Sequence, residues 1–302
     1  MTRRDFLGSA AAAAAIPVAT EAASINVDAI KIRKTPKPQI AYKSPHAKPN
    51  GLQATAEGLW VMDQGRESYV TLVNFADGKV VRDFKADVVG ASGITVDADN
   101  VMWITSTHNS LVVSCSPQDG KTIAKYWTPG AGRIYRKASD VPAARSPLPP
   151  AFPPQANAGR GRGGRGRGGR GHGNGLPYGQ LALETENGAG GTGAHGIEHR
   201  DGLLYFACPP ARRLFVMDPK SWEVQDFWPL PGNRPHGVGW EGDTLWVADS
   251  NLRAFFRHDI RTGNIIERIQ LTEKDPLIHG ATVHEGHLWY CDDVGYICNL
   301  KL

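Results

Sequence analysis

The 302-residue chain has only four cysteines, Cys115, Cys208, Cys291 and Cys298, and none stands in a C-x-x-C or C-x-x-C-H arrangement. That absence argues against structural zinc and covalently attached haem, which both need closely spaced cysteines. Long apolar runs are missing too, and no later stretch approaches the roughly eighteen residues of a membrane-spanning helix. A basic surface is also lacking. Arg160, Arg162, Arg165, Arg167 and Arg170 lie in one glycine-rich tract, and without these five the formal charge of +4 becomes −1. The body is close to neutral, so a nucleic-acid partner is not supported.

The N-terminus does carry a signal. Arg3-Arg4-Asp5-Phe6-Leu7, the alanine run from Ala10 and the small residues up to Ala23 predict a twin-arginine export peptide over residues 1–23. The mature chain, 24–302, is then expected to be periplasmic or extracellular, and folded before it leaves the cytoplasm. One compositional break interrupts it at about residues 131–193. This stretch is proline-rich from Pro142 to Pro154 and alternates Arg with Gly from Gly159 to Gly171. With no apolar side chains to offset the entropy of ordering, the Arg-Gly tract is expected to be a disordered insertion.

A five-times-repeated pattern organises the rest. A small residue or His precedes Gly, an aromatic follows about ten residues on, and a polar residue closes the unit three later. The copies start at Asn50-Gly51, Ser92-Gly93, His195-Gly196, His236-Gly237 and His279-Gly280. Their aromatics are Trp60, Trp103, Tyr205, Trp246 and Trp289; their closing residues are Asp63, Ser106, Cys208, Asp249 and Asp292. A fixed offset of this kind is the register of a β-hairpin, and each copy has room for four short strands. Recurrence at about 42 residues predicts an all-β, single β-propeller with five recognisable four-stranded blades. The stretch between the second and third copies is long enough for a sixth. The fifth copy has room for three strands, so closure by a strand from the other terminus is expected, Ile30–Arg33 or Gln39–Tyr42. Cys291 and Cys298 flank the turn at Val294-Gly295, where a cross-strand disulfide and two buried thiols are both open.

Antiparallel pairing brings the first residue of each copy to one rim, opposite its closing residue. Asn50, Ser92, His195, His236 and His279 are expected to ring the mouth of the axis. Repeated His–Asp pairs would serve as structural clips. Imidazoles backed by carboxylates would equally serve as metal ligands or general bases. The metal set proposed on this pattern is His195, Asp249, Asp292 and Asn50. Arg133 and Tyr135 in the insertion are candidates for binding an acidic or carbonyl-bearing substrate. The remaining histidines, His258 on an outer strand among them, read as solvated.

Ala194-His195-Gly196-Ile197, Arg234-Pro235-His236-Gly237-Val238 and Asp243-Thr244-Leu245-Trp246-Val247-Ala248-Asp249 resemble the streptogramin B lyase-like propellers, within the wider gluconolactonase and NHL-type group. The resemblance covers about residues 45–302 without the insertion. It implies a divalent metal, usually magnesium, and a channel-mouth His that opens a cyclic depsipeptide by elimination. His236 and His279 match the family's His-Gly positions, so the resemblance gives them the catalytic base and acid roles. The resulting expectation is a lyase or hydrolase acting on an ester or lactone-like small molecule. The alternative is a non-catalytic propeller that binds a ligand or protein.

Overall fold

A computed structural model describes residues 25–129, 193–209, 211–292 and 294–302. The expected signal peptide and nearly all of the insertion lie outside these residues. Five four-stranded antiparallel sheets form the propeller. Blade one is β2 (Pro49–Thr55), β3 (Gly58–Asp63), β4 (Tyr69–Val73) and β5 (Val80–Lys85); β1 (Gln39–Lys43) precedes it in the chain. Blade two is β6 (Ala91–Val96), β7 (Met102–Ser106), β8 (Leu111–Cys115) and β9 (Thr122–Trp127). Blade three is β10 (Gly196–Arg200), β11 (Leu203–Cys208), β12 (Arg213–Asp218) and β13 (Glu223–Pro229). Blade four is β14 (Pro235–Glu241), β15 (Thr244–Asp249), β16 (Ala254–Asp259) and β17 (Ile265–Gln270). Blade five is β18 (Ala281–His284), β19 (His287–Cys291) and β20 (Tyr296–Lys301), completed by β1.

Burial along these strands follows their place in the stack. Second strands such as β3 and β7 are buried throughout, because a neighbouring blade covers each face. Outermost strands such as β5 are largely exposed. The core is therefore divided among the blade interfaces. Trp60 packs between blades one and two, Trp103 between two and three, Tyr205 between three and four, Trp246 between four and five, and Trp289 between five and one. The repeated aromatic of the sequence is thus the pillar of each interface, its burial alone contributing about 2 kcal/mol.

The repeated glycines close the ring. A Cβ on Gly51, Gly93, Gly196, Gly237 or Gly280 would lie 1.8–2.6 Å from backbone or side-chain atoms of the next blade in cyclic order. Gly93 of blade two abuts His195 and Gly196 of blade three directly. No sixth blade stands between them. The chain leaves and re-enters at one place, with Ala194 N–H donating to Thr128 Oγ1 at 2.8 Å and Gly193 N–H to Thr107 O at 2.7 Å.

Both candidate closing segments are used. β1 pairs antiparallel with β20, Gln39 opposite Asn299, and supplies the outermost strand of blade five. Residues 31–33 run alongside β17 in parallel, with Arg33 N–H donating to Arg268 O and Arg268 N–H to Lys31 O. The cysteine pair resolves to thiols. Cys291 lies opposite Ile297 and Cys298 opposite Tyr290, so the two are one position out of register and enter different interface cores. All four cysteines are free and buried. Alkylation in denaturant without reductant is expected to modify four thiols, and a count of two would contradict this register.

Candidate functional site

A local irregularity aims the ring residues. Pairing of the two inner strands slips between Pro49 and Gly51, between Ala91 and Ile94, and between Pro235 and Val238. Each slip is a β-bulge in front of the glycine, which turns Asn50, Ser92 or His236 out of the regular ladder. It also corrects the expected pairing: Asp249 lies opposite Pro235, and Asp63 opposite Pro49. The inserted residue shifts the pairing by one only beyond the bulge, while Val238 still faces Val247 and Gly51 still faces Met62, as an unbroken ladder would have them.

The closing residues consequently face the entering chain rather than the histidines. Asp249 accepts the backbone N–H of Arg234 (3.0 Å) and of Leu252 (2.9 Å). Asp63 accepts those of Lys48 and Gly65, both at 2.6 Å. Asp292 Oδ1 accepts from Val294, Gly295 and Tyr296. Ser106 does the same for Val89 N–H at 2.8 Å. These side chains clamp the loops beside each inner strand, which is why they recur at a constant spacing. Asp249 and Asp292 therefore do not join His195 and Asn50 as a donor set. Among the described residues no group of three or more His, Cys, Asp or Glu is placed to hold a metal ion. The expected divalent-metal centre does not fit this arrangement.

What the ring does assemble is a chain of imidazoles. His195 Nδ1 lies 2.9 Å from His236 Nε2, and the two rings meet edge to face at 4.6 Å. His236 stacks on His279 with centroids 4.7 Å apart. His279 Nδ1 lies 2.9 Å from Asn50 Oδ1, and Asn50 Nδ2 donates to Ala91 O. On its far side His236 Nδ1 lies 2.7 Å from Ser250 Oγ and 3.1 Å from Arg234 O. Ser250 Oγ donates to Ile278 O at 2.5 Å.

The protons in this chain follow from the acceptors. A carbonyl cannot donate, and Ser250 has committed its hydrogen to Ile278 O, so His236 Nδ1 carries a proton and donates. Burial, followed by the neighbouring His195, His279 and Arg234, holds the His236 pKa well below the usual imidazole range, so the ring is neutral. Its Nε2 is then an acceptor, and His195 Nδ1–H donates to it. A neutral His195 therefore carries its basic lone pair on Nε2. His195 is half-buried, whereas His236 and His279 are 2% and 4% exposed. The most accessible imidazole is not one of the two assigned catalysis from the sequence.

Asn50, His195, His236 and His279 thus come together, as expected, and Ser92 lies buried in the same ring. Arg133 and Tyr135 lie outside the described residues. Two polar residues escaped the sequence reading. Ser250 directly follows the last member of its repeat, a position where only blade two has another hydroxyl, Thr107, which donates to Gly90 O. Glu198, three residues after His195, lies on the axis, where Thr95 Oγ1 (2.8 Å) and Gln53 Nε2 (3.1 Å) donate to its Oε1. Gln53, Thr95, Glu198 and Thr282 all stand three after a ring residue, a second register that was available in the sequence. His258, expected in solvent, is completely buried on β16, with Nδ1–H donating to Gly263 O.

No family model matches the sequence, and no curated protein matches it. Among solved structures, the glutaminyl cyclase of Myxococcus xanthus is similar over 87% of this chain and 95% of its own, with a TM-score of 0.56 at 10% identity. Virginiamycin B lyase from Staphylococcus aureus, in complex with quinupristin, is similar over 86% of this chain and 68% of its own, with a TM-score of 0.45 at 17% identity. At these identities the likeness extends to the propeller fold alone.

Proposed function

We propose that this is an exported propeller whose axial histidine ring performs proton-transfer catalysis on a small ester or lactone-like molecule, as a lyase or hydrolase. The carrying observation is the Ser250–His236–His195 chain, which fixes the tautomer of a half-buried imidazole by two successive hydrogen bonds. His195 Nε2 takes a proton from the substrate or from an attacking water, and returns it to the leaving oxygen. His236 positions it. Because burial disfavours a charged His236, the proton stays on His195, where it can be delivered. No metal enters these steps.

A second reading rests on its own observation. The same bonds cross blade boundaries: His195 to His236 joins blades three and four, Ser250 to Ile278 four and five, and His279 to Asn50 five and one. On that reading they are clips in a binding scaffold. Turnover of a panel of aryl esters and lactones by the mature protein, before and after His195→Gln, separates the two. Catalysis predicts a fall in kcat/KM of about 10²–10⁴ with an unchanged melting temperature. No turnover above background, or equal rates in the variant, would sink the catalytic reading, and a large loss of stability would favour the clip.

A further inference from the structure

The other end of the axis is built differently. Glu198 sits there, 5% exposed, below the glycine collar. Its position on the axis is fixed by its partners: Thr95 belongs to the adjacent blade two, and Gln53 to blade one, which is not adjacent. Every hydrogen bond to its carboxylate among the described residues falls on Oε1, from Thr95, Gln53 and His199 N–H. Oε2 has none. Among the described residues no hydrogen bond reaches Glu198 from blades four and five, where the matching positions are Gly239 and Thr282, whose Oγ1 accepts from Ala54 N–H. Burial pushes the carboxyl up to about 7, the mark of an anion whose charge is incompletely met.

The hairpin turns around this end are acidic in every blade. Exposed Glu57, Asp99, Asp201, Asp243 and Glu285 each lie in the turn joining the first two strands of their blade. Arg82 approaches Glu57, Arg200 approaches Asp201 and Asp243, and His284 approaches Glu285. Asp97 adds a further carboxylate beside His199. Carboxylates outnumber the cations facing them, so the field at this mouth draws positive charge inward. A divalent metal needs several charged oxygen donors, and the axis offers one carboxylate. A primary ammonium carries a single positive charge, which one carboxylate matches, and its N–H groups can donate to that carboxylate's oxygens.

We propose that the end of the axis opposite the histidine ring binds a primary ammonium group, with Glu198 as its anionic partner and the acidic turns as its guide. Amide NMR titration of the mature protein with methylammonium chloride, at constant ionic strength, tests this. Saturable shifts are expected at Val96 and His199, at least tenfold weaker in Glu198→Gln, with tetramethylammonium failing to reproduce them for want of N–H donors. Binding that survives Glu198→Gln, equal binding of tetramethylammonium, or no saturable shift would overturn the proposal. Should Glu198→Gln not fold, the exposed triple variant Asp99→Asn, Asp201→Asn, Glu285→Gln decides. Affinity at low salt should fall at least threefold in it, and an unchanged affinity counts against the site.

Discussion

Gly196→Ala is expected to abolish stable folding, whereas Gly202→Ala, at the turn of the same hairpin, will fold. A Cβ on Gly196 would lie 1.8 Å from His236 O, a backbone atom of the next blade. Gly196 is not among the residues with positive φ, so the barrier is contact with the adjacent blade rather than local conformation. Relief would require blades three and four to separate at their innermost strands, which would strain every interface around a closed ring. A cost of about 5 kcal/mol or more is expected, comparable with the whole stability of a typical domain. Gly202 has φ of +77° and nothing within 4 Å of its absent Cβ. Alanine there meets only the left-handed penalty, roughly 1–2 kcal/mol. Circular dichroism and urea unfolding of the two variants make the measurement. Equal stability would remove the steric explanation of the repeated glycine.

That explanation shows why the fold was legible in the sequence and part of the site was not. Each blade must repeat what its neighbours force on it: a glycine at the axis and an aromatic pillar at the interface, with a loop clamp three residues later in every blade but the third, where Cys208 stands. Such constraints leave a periodic trace. The bulge before the glycine leaves none, because an inserted residue within the ladder looks like ordinary strand. The His–Asp pairing is accordingly displaced by one position from an unbroken ladder, and a clamp such as Asp249 looks in the sequence like a ligand. Ser250 has a hydroxyl counterpart only in Thr107, and Glu198 is the one carboxylate in its register, so the shared pattern alone does not mark either. They differ from their counterparts because function, or the asymmetry of the axis, does not have to respect the fivefold pattern. His258 misled for the opposite reason. A polar residue on a third strand looks solvated until the neighbouring turn at Gly263 covers it and accepts its proton.

Glu198→Gln is expected to match the wild type in stability at pH 4 and to exceed it by roughly 3 kcal/mol at pH 8. Burial raises the folded-state pKa of Glu198 from 4.5 to about 7. Below pH 4.5 the carboxyl is protonated in both folded and unfolded chains and adds no pH dependence. As pH rises through 7, the unfolded chain has already released the proton, and the folded chain must come to hold a buried anion. Stability present at low pH is therefore lost, by about 2.5 pKa units or roughly 3 kcal/mol. Glutamine offers the same Oε1 acceptor to Thr95, Gln53 and His199 N–H without ever charging. His258 pulls the other way, since burial lowers its pKa from 6.5 to about 4 and stability falls as pH drops through that interval. That contribution is common to both proteins and cancels in their difference. Urea unfolding at pH 4, 6 and 8, in buffers free of amines, isolates the carboxylate. A variant no more stable than the wild type at pH 8 would mean that Glu198 Oε2 is already well solvated, and its suitability as a seat for a cation would go with it.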